Sequence, residues 1–405
     1  MYIGPPRRKG RPLWLSCLLT LIIVAAGAYV ISLILAWRGI YFVAIAPLPA
    51  QLQPTPTVTP TPTELPVNHL DRANKYLDSG KLDEAITEYQ TVIGLEPDND
   101  VAQARLARAL TWRHRKDPAI AAARRAVAIN ANADNLAALA NALDWAGVYD
   151  EAFAYGLRAT QSDDKNATAW AYLAEIYADL NNLGKAIDSA NKAVAFGPDS
   201  FEAHRNLGYV LEAYGNYSRA INEYKTAIQL APNVALAYVD LARAFRTINQ
   251  YKNATTTLEQ GLKIDPKAVD LYDELGWTYY FLQDYDAATT NLKQALKVNP
   301  EYGPAYGHLG TTYFSRQNWE DATVNLEHAI QLGGTRLEYY YELGISYINL
   351  EKCDKAQPWI DKAQHLGPDD AAAQAAGGYY AQKCLGIPPT PTPRFRPVPT
   401  ATPKP

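Results

Sequence analysis

The chain is 405 residues long with 48% apolar and 20% charged residues, enough to bury a sizeable core and too apolar for a wholly disordered polymer. Five basic residues and one acid lie in 1–66 and three bases in 388–405, which leaves 30 basic against 41 acidic side chains in 67–387. So acidic a body lacks the clustered Lys and Arg that phosphates require, and no nucleic-acid partner is expected. Three cysteines exclude a disulfide-dense mini-domain and a Cys-rich zinc module.

In chain order, a basic segment comes first: 1–12 holds Arg7, Arg8, Lys9 and Arg11. Residues 13–37 carry no charge, are flanked by Trp14 and Trp37, and at 1.5 Å per residue make a helix about 37 Å long. That length predicts a single membrane span, with the N-terminus cytoplasmic by the positive-inside bias and everything after Arg38 on the extracytoplasmic side. A cleaved signal peptide ending near Ala44-Ile45-Ala46 is the competing reading, but the apolar run exceeds the usual h-region of about 7–15 residues. Ala28, Ser32 and Ala36 repeat every four residues, a small-residue stripe that suits pairing of two copies within the bilayer. Residues 38–65 form a juxtamembrane and Pro/Thr-rich linker, and 388–405 a second Pro/Thr-rich tail. Neither can build a core, and both read as extended, disordered spacers.

Between these spacers one pattern returns every 33 or 34 residues. Its clearest copy is Trp170-x-x-Leu173-Ala174-x-x-Tyr177, followed by Ala186, Ala193 and Pro198. Three later copies share one form: Tyr272, Leu275, Gly276, Tyr279; Tyr306, Leu309, Gly310, Tyr313; and Tyr340, Leu343, Gly344, Tyr347. Apolar residues at i, i+3, i+4 and i+7 make one stripe of a first helix, and the Gly or Ala lets a second helix approach. Gly80, Gly147 and Gly215 end first helices in left-handed caps, with His114 standing in one such place; Pro97, Pro198, Pro232, Pro266 and Pro300 end second helices. The acidic pairs Asp163-Asp164 and Asp369-Asp370 fall between helices and are expected to cap the next one. Nine units fit: 66–99, 100–132, 133–166, 167–200, 201–234, 235–268, 269–302, 303–336 and 337–370. Residues 371–387, with Gly378 at the small-residue position, read as a closing helix.

These motifs resemble the tetratricopeptide repeat (TPR) family over about three-quarters of the chain. The resemblance implies an all-α, right-handed superhelical solenoid whose first helices line a concave groove for peptide segments of other proteins. The chaperone-tail clamp known in that family is not matched, because Leu70 and Ala171 occupy clamp-lysine places.

On that geometry the inner wall holds Asn74, Arg108, Trp112, Asn141, Trp145, Glu175, Arg205, Tyr209, Arg243, Arg246, Asp273, Trp277, Tyr280, Phe281, Phe314 and Tyr341. A basic middle (Arg205, Arg243, Arg246) beside an aromatic stretch from Trp277 to Tyr341 suits a partner with a carboxylate end next to apolar anchors. Cys353 and Cys384 fall at neighbouring ends of stacked helices and are expected to pair; two free thiols are the alternative. No nucleophile elbow, phosphate loop or spaced histidine set occurs, so no catalytic residue, metal or cofactor is expected. The functional expectation is a membrane-anchored, non-catalytic scaffold or adaptor that binds proteins. Two alternatives stay open: a self-associating envelope scaffold, or a carbohydrate-binding or enzyme-accessory module using Trp112, Trp145 and Trp277.

Overall fold

The computed structural model describes residues 24–31, 33 and 64–388. The chain divides into two units, Met1–Thr63 and Glu64–Pro405. Every regular element described in the second unit is an α-helix. The first ten are α1 (Pro66–Asp78), α2 (Leu82–Leu95), α3 (Asp100–Trp112), α4 (Lys116–Ile129), α5 (Ala133–Trp145), α6 (Tyr149–Ser162), α7 (Ala167–Asp179), α8 (Leu183–Phe196), α9 (Phe201–Ala213) and α10 (Tyr217–Leu230). They are followed by α11 (Ala235–Thr247), α12 (Tyr251–Ile264), α13 (Val269–Phe281), α14 (Tyr285–Val298), α15 (Gly303–Ser315), α16 (Trp319–Gln331), α17 (Leu337–Asn349), α18 (Cys353–Leu366) and α19 (Ala371–Cys384). Odd-numbered helices pack against the even-numbered helix that follows and, from α3 on, against the next odd one, so the unit is a solenoid of stacked hairpins.

Local sequence explains the hairpin. The turn inside each is closed by a residue with positive φ: Gly80, His114, Gly147, Asn181, Gly215, Asn249, Gln283, Gln317 and Glu351. The next helix is often started by a side-chain cap, as where Asn166 accepts from the Ala169 N–H at 2.8 Å and Asp370 from the Ala373 N–H at 2.8 Å. Asp163 and Asp164 do not cap α7. Asp163 instead closes a turn onto the Lys165 N–H, and the Asp164 carbonyl accepts from the Trp170 indole. Asn166 lies nearer the helix start and takes the cap from them.

Burial follows the repeated pattern. Leu173 is buried in one cluster with Ala186 and Ala190 of α8, Leu309 in one with Ala322 of α16, and Leu343 in one with Ala356 of α18. A Cβ at Gly276 would lie 2.6 Å from Leu292, and one at Gly310 would lie 2.7 Å from Leu326, so these glycines are required by helix approach. In α19 the glycine held against a neighbour is Gly377, beside Gln364, whereas Gly378 faces open space.

The solenoid also closes on itself, one superhelical turn resting on the next. Gly80 in the first hairpin turn packs against the Asn233 carbonyl and the Ile264 side chain. Arg113 bonds Asp265 at 2.6 Å and Asp83 at 3.1 Å, and Lys267 reaches Asp83 at 2.8 Å. His114 meets Asp270 at 2.6 Å, while Arg108 pairs with Glu202 at 2.7 Å and Trp112 packs edge-on to Phe201. The first two hairpins are thereby fastened to residues 201–302.

The expected single-pass membrane localisation is corrected. Among the described residues no helix is long and apolar enough to cross a membrane. Of 13–37 only 24–31 and 33 are described, as helix. A cytoplasmic N-terminus with the repeats on the extracytoplasmic side therefore does not stand. The remainder of the expected span, Ser32 and Ala36 of the pairing stripe, the linker up to residue 63 and the tail from 389 lie outside the described residues.

Candidate functional site

The inner wall is built from first helices, because the Leu, Gly/Ala and Tyr stripe turns their other face inward. The structure brings Arg205, Arg243 and Arg246 together on α9 and α11, but none is a free cation. Arg205 is buried, donating to Asp240 at 2.7 Å and Glu175 at 3.0 Å with its guanidinium over Trp145. Arg243 donates to Asp240 at 2.9 Å and Glu212 at 3.2 Å, and Arg246 to Glu274 at 3.0 Å. Burial disfavours the Arg205 charge, yet Asp240 and Glu175 outweigh that and raise its pKa. The expected basic middle is thus an internally neutralised ladder with partners one repeat away on either side.

The aromatic stretch is likewise mostly self-contained. Trp277 is 8% exposed, stacked on Tyr280 at 4.5 Å and on His308 at 4.2 Å. His308 is held by Asp273 at 2.9 Å, and the Tyr280 hydroxyl meets Ser315 at 3.0 Å. Phe281 is the accessible member at 42% exposure, beneath Arg246; Phe314 packs edge-on to Trp319, and Tyr341 is half-buried. Beside them burial raises the Glu342 carboxyl to about 7, despite the hydrogen bond it accepts from Thr311 at 2.7 Å. At the N-terminal end Asn74 accepts from Tyr89, while Arg108 pairs with Glu202 and Trp112 packs on Phe201, both of α9.

Inside the wall lies a cavity of about 290 Å³, lined among others by Asp144, Trp145, Glu175, Asp179, Asp240 and Glu274. Several of these acids escaped the sequence reading, which looked for surplus positive charge. Asp144 carried one signal, an acid directly before Trp145 near the end of an Ala- and Leu-rich helix. Its side chain is 3% exposed and its Oδ1 accepts no hydrogen bond from the described residues. Elsewhere, Cys353 opens α18 and Cys384 closes α19, with Cα atoms 5.7 Å apart and the sulfurs bonded at 2.01 Å.

Family models described as tetratricopeptide repeat match residues 76–143 and 211–275, residues 137–201, and residues 269–302, together more than half of the chain. No curated protein matches it. Among solved structures, the APC/C hetero-tetramer Cut9–Hcn1 superposes with a TM-score of 0.62 at 17% identity, over 73% of this chain and 58% of that one. The chain therefore spans 58% of that chain's length, and the likeness concerns the fold alone. Human IFIT1, solved as a dimer with m7Gppp-AAAA, gives 0.49 at 18% identity over 76% and 73% of the two chains. PilF of Pseudomonas aeruginosa gives 0.46 at 17% identity over 53% and 98%. With the family-model matches over more than half of its length, the chain belongs to the tetratricopeptide repeat family.

Proposed function

We propose that the protein is a non-catalytic scaffold or adaptor whose nine hairpin units over 66–370, closed by 371–387, hold peptide segments of partner proteins against the inner wall. The observation that carries this reading is the wall itself. Five first helices, α5, α7, α9, α11 and α13, contribute charged and aromatic side chains that hairpin stacking does not require, held in place by Arg205, Arg243 and Arg246. Pre-ordered side chains reduce the entropy lost on binding, which is how a modest contact area gains affinity. The carbohydrate alternative loses support because Trp112, Trp145 and Trp277 have faces occupied by Arg108, Arg205 and His308.

The test is selection of a displayed random-peptide library on the full chain, with binding remeasured on variants. Phe281→Ala, at an exposed anchor, and Arg243→Glu, in the ladder, are expected to weaken selected peptides tenfold or more, whereas the outer-helix variant Lys263→Glu leaves them unchanged. Peptides insensitive to both inner-wall variants but lost in Lys263→Glu would place binding on the other surface. Trp277→Ala is a poor probe, since that ring is part of the packed stack.

A further inference from the structure

The cavity between α5, α7, α9, α11 and α13 has an unbalanced charge inventory. Six carboxylates line it: Asp144, Glu175, Asp179, Asp240, Asp270 and Glu274. Arg205 serves Glu175 and Asp240, Arg243 serves Asp240, Arg246 serves Glu274 and His114 serves Asp270. Among the described residues Asp179 accepts a hydrogen bond from the Tyr209 hydroxyl alone, with Arg205 and Arg243 acting on it from farther off. Among the described residues Asp144 makes no ion pair, Arg205 acting on it only from a distance, and its buried Oδ1 accepts no hydrogen bond. The mouth is more open: Asp179 is exposed and Tyr149 is 41% exposed. Trp145 also lines the cavity, with its ring already carrying the Arg205 guanidinium.

We propose that this cavity is a recognition pocket for one organic cation, the guanidinium or ammonium of a basic side chain on a bound peptide, with Asp144 at its floor and Asp179 at its mouth. This deepens the peptide-binding reading and rests on it, with the charge preference reversed: the wall's arginines are satisfied, and the groups left without an ion-pair partner are the carboxyls of Asp144 and Asp179. At 290 Å³ the cavity is near the lower end of the range of about 300–1,000 Å³ for small-molecule sites, suited to a side chain rather than a whole ligand. Metal capture is not favoured, since no group of three His, Cys, Asp or Glu residues among the described ones is arranged to hold an ion.

The proposal has a protonic signature. Burial, reinforced by Glu175 and Asp179 and opposed by Arg205, raises the Asp144 carboxyl to about 9, so at neutral pH it carries a proton. A cation entering beside it favours the carboxylate, and the proton leaves to buffer. Glu175, Asp179 and Arg205 are the charged groups that act on Asp144, and Tyr149 is a further titratable group beside it.

Titration calorimetry on the full chain tests this with N-acetyl-arginine amide, the same unit within a short peptide, and the neutral citrulline counterparts. The expected result is arginine binding without citrulline binding, release of close to one proton, and affinity rising nearly tenfold per pH unit between pH 6 and 8. Asp144→Asn keeps the shape and hydrogen-bonding size; it is expected to abolish both binding and proton release while the helical signal and melting temperature hold. Asp179→Asn, at the exposed mouth, supplies a folded variant in any case and is expected to weaken binding severalfold. Equal citrulline binding, no proton release, or arginine binding retained in both variants overturns the proposal. If arginine fails to bind while library peptides still depend on Phe281, the pocket assignment falls and the peptide-binding function stands.

Discussion

At the scale of single residues, nine positions spaced 33 or 34 apart share a left-handed backbone, yet only Gly80, Gly147 and Gly215 are glycines. For a residue with a Cβ, that conformation costs roughly 1–2 kcal/mol, less for Asn, whose short side chain tolerates it. Gln317, at φ 59°, has no such relief. Gln317→Gly is therefore expected to stabilise by about 0.5–1 kcal/mol after the added freedom of the unfolded chain is deducted. Asn181→Gly should gain less. Urea midpoints at unchanged slope check both, and a loss of stability in Gln317→Gly contradicts the strain argument. These positions were readable in advance because the turn repeats with the rest of the pattern. The charge state of the inner wall was not. Arg205 finds Glu175 thirty residues before it and Asp240 thirty-five after it, an offset close to one repeat that the reading of each repeat alone did not combine.

At the scale of helices, the glycines of first helices set how closely a hairpin can shut. Leu326 lies where a Cβ of Gly310 would be, with its Cγ at 2.7 Å and its backbone N at 3.0 Å. Backbone cannot yield as a side-chain tip can, so Gly310→Ala is expected to cost about 1–3 kcal/mol by forcing α15 and α16 apart. Ala174 fills the corresponding place in an earlier hairpin, buried without exposure, which means that α7 and α8 are spaced for a methyl group. Ala174→Gly should then cost only about 1 kcal/mol, from helix propensity and a small void. Equal and small losses for both substitutions, by thermal or urea unfolding, would show that the hairpins adjust freely. Hairpin identity was legible because one local stripe determines it. Hairpin spacing was legible only in part, since Gly378 matches the pattern while Gly377 is the residue that meets a neighbour.

At the scale of the whole solenoid, stability in a repeat array is ordinarily a sum over neighbours, with nothing joining distant units. Here the turn-to-turn contacts break that rule, because Arg113 bonds Asp265 across 152 residues and His114 bonds Asp270 across 156. No local pattern announces such pairs; they depend on superhelix pitch, which accumulates over many small inter-repeat rotations. Closure should make unfolding more cooperative than a linear array allows, and it should depend on pH. Burial opposes charge on His114, but the Asp270 carboxylate outweighs it, so the imidazole pKa is raised. The Asp270 carboxyl is lowered, because His114 and Tyr302 overcome the burial that would raise it. Lys116 and Asp273 also act on His114, the first against its charge and the second for it. A raised histidine contributes fully below its unfolded value of about 6.5 and loses that contribution as pH climbs through the folded value. A lowered aspartate contributes above about 3.9 and loses it as pH falls through its folded value. The clasp is thus strongest between about pH 4 and 6.5 and loosens on the alkaline side. His114→Asn retains a side chain suited to the left-handed turn while removing the imidazole, and is expected to cost about 2 kcal/mol at pH 5.5 and much less at pH 8.5. Arg113→Ala leaves Asp265 buried without its guanidinium, should cost about 3–5 kcal/mol at either pH, and should enlarge the radius of gyration in solution scattering. A His114→Asn penalty that does not shrink as pH rises, with scattering unchanged in Arg113→Ala, would mean that the first two hairpins are held by packing at Gly80 and Trp112 rather than by these charges.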